Sequence, residues 1–266
     1  MAPIGSATGR GRVLAICGKG GVGKTAVSAL LARALLEQGR APLLLVDADP
    51  VGGFMAAVGA RPRRTLAEVR AELVSRARQG GEATRQALAG ELDYRLLEAL
   101  CEREDHALLA MGRSGDKGCF CPANAILREA LDDLSAGFAA VLVDAEAGVE
   151  QIQREVTRRV GLFLVVLDGS ARSRNTLTVI TELCGVSKVA IVENRVCAGS
   201  GSGSGFVSES VPLADVPILG RIPQDEALAR FDRAGRPLWE LPADNPALAA
   251  ASSLAGVLWA RLEALT

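Results

Sequence analysis

The segment from Gly18 to Thr25 contains residue types that together hold a polyphosphate. Its residues, Gly-Lys-Gly-Gly-Val-Gly-Lys-Thr, fit the pattern G-x-x-x-x-G-K-[ST]. Glycines let the backbone curl so that several N–H groups point at one anion, and the helix N-terminus that follows adds positive charge. We predict that Lys24 contacts the β and γ phosphates and that the Thr25 hydroxyl ligates Mg²⁺. The predicted nucleotide contacts of this loop are Gly20, Gly21, Val22, Gly23, Lys24 and Thr25.

A second chemical feature is the thiol pair in Cys119-Phe120-Cys121-Pro122. In an extended loop, residues i and i+2 point the same way, so that both sulfurs can face one ion. Two thiolates are too few for a closed tetrahedral site, but a two-fold dimer would supply four. Soft thiolates suit Zn²⁺ and, in a square-planar arrangement, Ni²⁺. A redox pair and two buried structural thiols remain open alternatives.

Short apolar runs alternate with longer amphipathic segments and must position these groups. We predict strands at Val13–Cys17, Pro42–Asp47, Ala107–Met111, Ala139–Asp144, Leu162–Asp168 and Val189–Asn194. We predict helices at Thr25–Gln38, Leu66–Leu100 with a break near Gly80, Pro122–Leu134 and Ala247–Leu265. Strands that are apolar throughout predict a doubly wound α/β fold, a mainly parallel sheet with helices on both faces. Such sheets bind ligands at the carboxyl ends of their strands, which is where the main motifs lie.

The composition argues against nucleic-acid-binding and membrane-bound classes of protein. The 266 residues are 49% hydrophobic and carry a formal net charge of −1, which gives no electrostatic reason to expect a nucleic-acid partner. Neither a signal-peptide core nor an apolar run of about 18 residues is present, so we expect a cytoplasmic protein without a membrane partner. We predict a flexible tail at 1–12 and a single domain at 13–266, with Ala198–Gly205 as an internal loop.

The phosphate-loop octet resembles that of the MinD/ParA/nitrogenase-iron-protein class of P-loop ATPases. The resemblance implies that Lys19 crosses a dimer interface to the partner's nucleotide, so that two chains enclose two ATP molecules. Asp47 and Asp49 follow the second predicted strand and resemble the first switch of the class. Asp49 would orient the attacking water, and Asp47 would lie in the outer shell of Mg²⁺. Lys19 and Lys24 would stabilise the developing charge.

Three later segments extend this resemblance. Asp144 resembles the strand-end aspartate that holds Mg²⁺ in the class, directly or through water. Gly148 would place its N–H on the γ-phosphate, which would let this segment distinguish ATP from ADP. Asn194 and Pro223 match positions where the class contacts adenine. Plain loop roles remain open for these last two residues.

The cysteine segment resembles a narrower group, the CooC-type ATPases. These are the nickel-insertion accessory proteins of carbon monoxide dehydrogenase. The likeness covers Met111–Arg113, Gly118–Asn124 and the switch Asp144–Glu150 with Arg154 beyond it. It implies a homodimer bridged by ATP and by a metal at Cys119 and Cys121, and apo carbon monoxide dehydrogenase or a related nickel enzyme as client. Ni²⁺ is the implied cargo, with Zn²⁺ as the alternative.

The sequence also departs from this group and leaves rivals open. Gln151 stands where the group often has histidine. A positioning ATPase of the MinD/ParA kind would need a basic surface or an amphipathic terminal helix, and Ala247–Leu265 has only Arg261 as a basic residue. An electron-transfer ATPase would bridge its dimer with an iron–sulfur cluster. We interpret four cysteines as structural or incidental, with the first of them buried: Cys17, Cys101, Cys184 and Cys197. We interpret the single histidine, His106, as a packing residue rather than a ligand.

Overall fold

One eight-stranded sheet forms the centre of the protein. The computed structural model describes residues 12–50, 52–80, 97–113, 134–145, 160–197 and 215–265. The strands are β1 (Arg12–Cys17), β2 (Leu43–Asp47), β3 (Leu100–Glu102), β4 (His106–Ala110), β5 (Ala140–Asp144), β6 (Leu162–Leu167), β7 (Val189–Val196) and β8 (Ile218–Pro223). Their order is β3-β4-β2-β5-β1-β6-β7-β8, and all neighbours are parallel except β3 and β4. The predicted mainly parallel sheet is confirmed.

Helices cover both faces of this sheet. They are α1 (Lys24–Glu37), α2 (Gly53–Ala57), α3 (Leu66–Gln79), α4 (Ala171–Cys184), α5 (Glu226–Arg233) and α6 (Pro246–Ala264). Leu14 and Ile16 of β1 pack on the side of α1 and α6, whereas Val13 and Ala15 pack on the side of α3 and α4. Because successive strand residues point to opposite faces, a strand covered on both sides must be apolar at every position. The predicted doubly wound α/β class is confirmed.

Local signals fix several helix ends. Thr65 forms a capping box with Glu68 at the start of α3, and Asn245 caps α6 with a proline at the first position. Gly80 ends α3, as predicted. The prediction of helix as far as Leu100 is wrong at its end, because Leu100 begins β3. There it pairs antiparallel with Leu109 of β4, and tertiary pairing of this kind overrides helix propensity.

Several predictions concern residues outside the described ranges. They are Cys119, Cys121, Gly148, Gln151, Arg154, the helix from Pro122 and the loop Ala198–Gly205. β1 begins at Arg12, which we predicted as the last residue of the tail. In the described part of the chain, no helix combines the length and apolar character needed to span a membrane.

Candidate nucleotide site

The phosphate loop curls between β1 and α1 against two neighbouring strands. Gly18 has φ +145°, and a Cβ there would lie 2.7 Å from the Val166 carbonyl oxygen. Gly23, which precedes α1, has φ +94°, and a Cβ there would lie 2.4 Å from Asn194 Nδ2. Both positions therefore require glycine for conformation and for space. The loop is held so that the N-terminus of α1 opens at the carboxyl edge of the sheet, an arrangement suited to an anion.

The two lysines of the loop have different surroundings. Lys24 is largely buried, and its Nζ lies 3.4 Å from the Lys19 carbonyl oxygen, so the side chain arches over the loop. Lys19 is partly exposed, and its Nζ lies 3.6 Å from Asp168 Oδ2. Burial opposes ionisation of Asp168, but hydrogen bonds from Ser170 and Ser173 and the Lys19 charge outweigh it and lower the pKa to about 2. Asp168 directly follows β6 and was not among our predicted site residues.

Asp144 at the end of β5 accepts two hydroxyl hydrogen bonds from α1. Thr25 Oγ1 donates to its Oδ2 at 2.7 Å, and Ser28 Oγ donates to its Oδ1 at 2.8 Å. Burial raises the pKa of Asp144 to about 6, although the two hydroxyls and Lys24 oppose the rise. The Thr25 hydroxyl and the Asp144 carboxylate are hard oxygen donors, and their proximity fits the predicted Mg²⁺ site. Ser28 was missed, but its position one helical turn after Thr25 places it on the same face.

Asp47 lies beside Asp144, since the two residues are register partners in β2 and β5. Its carboxylate accepts the N–H groups of Asp49 at 3.1 Å and Met55 at 3.0 Å. Burial, assisted by the nearby Asp144 charge, raises the pKa of Asp47 to about 7, although the backbone hydrogen bonds from Met55 and Asp49 oppose the rise. Asp47 thus holds the segment that carries Asp49. Its predicted outer-shell role at the metal stays a prediction.

A cavity of about 730 Å³ joins the phosphate loop to the ends of β7 and β8. This volume lies in the range of small-molecule sites, roughly 300–1,000 Å³. Its lining includes Lys24, Thr25 and Asp49 from the phosphate loop and the segment after β2, together with Asn194 and Pro223 from β7 and β8. The structure therefore places the predicted phosphate, water and adenine residues around one space. Val22 is a buried residue of the loop, and its carbonyl oxygen accepts a 2.9 Å hydrogen bond from Asn194 Nδ2.

Comparison with known proteins identifies the family. Residues 13–238 match the CbiA family, the CobQ/CobB/MinD/ParA nucleotide binding domain. The chain belongs to this family. It is a P-loop ATPase of the CobQ/CobB/MinD/ParA type.

Three individual proteins are similar to this ATPase over most of its length. It is 31% identical over 235 residues to an uncharacterized ATP-binding protein of Methanocaldococcus jannaschii, covering 88% of this chain and 92% of that protein. It is 32% identical over 243 residues to the carbon monoxide dehydrogenase accessory protein CooC of Rhodospirillum rubrum, covering 86% and 89%. MinD in the MinC:MinD cell division complex of Aquifex aeolicus shares the fold, with a TM-score of 0.67, 21% identity and coverage of 93% and 95%.

The remaining cysteines of the ATPase do not form a metal centre in the ranges that the structure describes. Cys17 is buried at the end of β1, as predicted, and burial raises the pKa of its thiol far above the usual range. Cys101 and Cys184 are half-buried, and Cys197 is exposed. Across these described ranges, no group of three or more His, Cys, Asp or Glu side chains could hold a metal. His106 begins β4, contacts Asp105 at 2.6 Å and packs edge-on against Trp239, which fits its predicted packing role.

Proposed function

We propose that this ATPase is a metallochaperone that delivers nickel to carbon monoxide dehydrogenase or a related nickel enzyme. The observation that carries the proposal is the Cys119-Phe120-Cys121 segment in a chain 32% identical to a carbon monoxide dehydrogenase accessory protein over most of both lengths. Soft thiolates at i and i+2 can face one Ni²⁺ ion. The proposal also takes residues from 13 onward as one domain in a cytoplasmic, reducing compartment, where these thiols stay available.

The ion would be shared by two copies of the chain. A two-fold axis beside the cysteine segment brings together four thiolates, the number that a closed thiolate site needs. The same dimer would carry Lys19 of each chain to the nucleotide of the other. In the single chain Lys19 Nζ faces Asp168, so dimer formation would require the lysine to exchange partners.

A hydrogen bond links the nucleotide site to Met111, which precedes the cysteine segment in the sequence. The Met111 N–H donates to the Asp47 carbonyl oxygen at 2.9 Å, and Arg113 is the last described residue before the segment. The Asp47 carboxylate in turn holds the N–H groups of Asp49 and Met55. A change at Asp49 on ATP hydrolysis would therefore reach the backbone that leads to Cys119. In this proposal, hydrolysis uses Asp49 to orient water and Lys19 and Lys24 to stabilise charge.

Nickel bound per chain, measured by equilibrium dialysis under reducing conditions, tests the proposal. We expect about one Ni²⁺ per dimer, lost in the double variant Cys119→Ser/Cys121→Ser. Cys197→Ser is the matched control, since Cys197 is an exposed cysteine with no companion at ligand spacing. Nickel binding that persists without Cys119 and Cys121, or that never occurs, would reject the metallochaperone role. A brown protein after anaerobic purification would favour an iron–sulfur-bridged ATPase instead.

A positioning ATPase is the second candidate, favoured by the shared fold of MinD. Such a protein would bind a membrane surface or DNA through basic residues. Helix α6 is poorly suited to bind a membrane surface, because its apolar face is buried in the core. Its last turn also contains a single basic residue, Arg261. Cosedimentation with anionic vesicles or with DNA in the presence of ATP would support this candidate, and its absence would exclude it.

A further inference from the structure

A second cavity, of about 470 Å³, lies next to the nucleotide site, and ATP hydrolysis as described above makes no use of it. Its lining comes from the segment that follows Asp49, from helix α2, from the loop between α2 and α3 and from the end of β4. Three of its apolar lining residues are buried, namely Met55, Ala60 and Ala110. Among the described residues, none lines both this cavity and the nucleotide cavity. We call this second space the α2–β4 cavity.

The charged side chains of the α2–β4 cavity leave positive charge available to a ligand. Arg61 and Arg113 are both exposed lining residues. Within the part of the chain that the structure describes, no hydrogen bond or ion pair engages either guanidinium. Glu68 is the acidic residue of the described lining, and its Oε2 already accepts the Thr65 N–H at 2.8 Å in the capping box of α3. Two cationic groups therefore stand against one carboxylate that is engaged in holding the backbone.

This combination of charge and apolar surface favours an acidic segment of a protein as the ligand. The planar fork of an arginine matches a carboxylate through two parallel hydrogen bonds. A glutamate can place its methylene groups on apolar surface while its carboxylate meets a guanidinium. Arginine and methionine are also enriched in protein interfaces, and both line this cavity. A nucleic acid or an anionic membrane would engage the arginines but would leave the apolar lining without a partner.

Helix α2 belongs to both the nucleotide site and the α2–β4 cavity. At its start, a Cβ on Gly53 would lie 3.7 Å from Cγ2 of Thr25, the predicted ligand of Mg²⁺. Two residues later, the Met55 N–H donates to Asp47 Oδ2 at 3.0 Å. Met55 and Ala56 of the same helix line the cavity. A shift of α2 that accompanies a change of nucleotide would therefore alter the shape of the cavity.

We propose that the α2–β4 cavity is the docking site for an acidic segment of a partner protein, held by Arg61 and Arg113 against buried apolar residues, and that its affinity for this segment changes with the bound nucleotide. The identity of the partner rests on the proposed function, in which it is the enzyme that receives the nickel. Arg113 is the last described residue before the cysteine segment, so a partner docked here contacts the chain at the residue that leads to Cys119. Docking itself requires no metal.

Fluorescence anisotropy with a fluorescein-labelled peptide of alternating glutamate and leucine tests the proposal without nickel. We expect saturable binding whose affinity differs at least about fivefold between Mg²⁺-ADP and Mg²⁺ with a non-hydrolysable ATP analogue. A matched peptide of lysine and leucine should not bind. Arg61→Glu/Arg113→Glu should weaken binding at least about tenfold, because two attractive contacts become repulsive.

Arg78→Glu/Arg172→Glu is the matched control for this charge reversal. It changes the net charge equally at two exposed arginines that line neither cavity. At about 0.15 M salt, which screens distant charges, it should change peptide affinity less than about twofold. Ala56→Trp separates the cavity from its charges, because it fills the space from an exposed position of α2 and keeps both arginines. We expect this variant to lose the peptide while its Tm stays close to that of the wild type.

Several results would refute the docking site. Unchanged peptide affinity in Arg61→Glu/Arg113→Glu or in Ala56→Trp would show that the peptide binds elsewhere, and equal affinity in all nucleotide states would remove the role of α2. Tighter binding of a DNA oligonucleotide or of phosphatidylserine vesicles through the same two arginines would replace the protein partner. Peptide binding by a protein that holds no nickel would keep the docking site and reject only the metal-receiving enzyme as partner. A protein that binds nickel at its cysteines but never binds the peptide would lose the docking site alone.

Discussion

The Thr25 hydroxyl donates a 2.7 Å hydrogen bond to the buried Asp144 carboxylate, which ties the first turn of α1 to the end of β5. Ser28, one turn later, donates to the other oxygen of the same carboxylate. Thr25, a predicted ligand of Mg²⁺, is therefore held by Asp144, the second predicted ligand of the same ion. The Thr25 and Ser28 hydroxyls make nearly equal hydrogen bonds, but only Thr25 is predicted to bind the metal.

Asp144→Asn should reduce ATP hydrolysis by roughly 10²–10³-fold, because it removes a fixed charge beside the reacting phosphates. Ser28→Ala removes a hydrogen bond to the same carboxylate without touching the predicted metal position. It should cost about 1 kcal/mol of unfolding free energy and change hydrolysis only a few-fold. Phosphate release and urea unfolding on both variants check this. Equal losses of hydrolysis in the two variants would contradict the assignment of Asp144 to Mg²⁺.

The stability of the nucleotide-free protein should fall as pH rises from about 4 to about 7. Burial raises the pKa of Asp47 from 3.8 to about 7, so the unfolded chain releases this proton at lower pH than the folded chain does. The stabilising contribution is therefore complete below pH 3.8 and is lost as pH rises through the folded-state pKa. Urea unfolding across this range should show a shallower decline in Asp47→Asn. An identical slope in the variant would refute the shift.

The sequence predicts those site residues that belong to a contiguous motif or directly follow an apolar strand. Lys24 and Thr25 follow from a contiguous loop, and Asp144 and Asp49 follow from apolar runs that end in carboxylates. The contact of Asp168 with Lys19 could not be found this way, since the two residues are far apart in the sequence, and β8, which pairs with β7, is absent from our prediction. Likewise, β3 was not predicted, because it forms by antiparallel pairing with the edge of β4. Long-range pairing is the information that local patterns lack.

Gly23→Ala should lower the unfolding free energy of the nucleotide-free protein by about 1–3 kcal/mol. The added Cβ would lie 2.4 Å from Asn194 Nδ2, and the backbone there has φ +94°. Gly21→Ala is a matched control, because φ is +79° and no atom lies within 4 Å of the added Cβ. The difference between the two variants in urea unfolding isolates the contact with Asn194. Equal destabilisation would mean that backbone strain alone explains the glycine.

Asp168→Asn should strengthen ATP-dependent dimerisation about two- to fivefold, if Lys19 must leave Asp168 to reach the partner's nucleotide. The pair is partly exposed at 3.6 Å, and such pairs typically contribute 0.2–1 kcal/mol. Sedimentation velocity with non-hydrolysable ATP checks the dissociation constant. Lys19→Gln should instead abolish the ATP-dependent dimer. Weaker dimerisation in Asp168→Asn would indicate that the aspartate holds Lys19 in the orientation that the dimer uses.

Nickel affinity should differ between the ATP-bound and ADP-bound protein if the connection from Asp47 to Met111 transmits the state of the nucleotide. By linkage, saturation with Ni²⁺ must then change the ratio of ATP affinity to ADP affinity by the same factor, which makes the nickel and nucleotide titrations a mutual check. Affinity for nickel should also weaken as pH falls, since the metal binds thiolates and displaces their protons. Cys119→Ser/Cys121→Ser should abolish the effect of nickel on ATP binding and leave ATP affinity in the absence of metal intact. Nickel affinity that is identical with ATP, ADP and no nucleotide would mean that hydrolysis does not drive metal release.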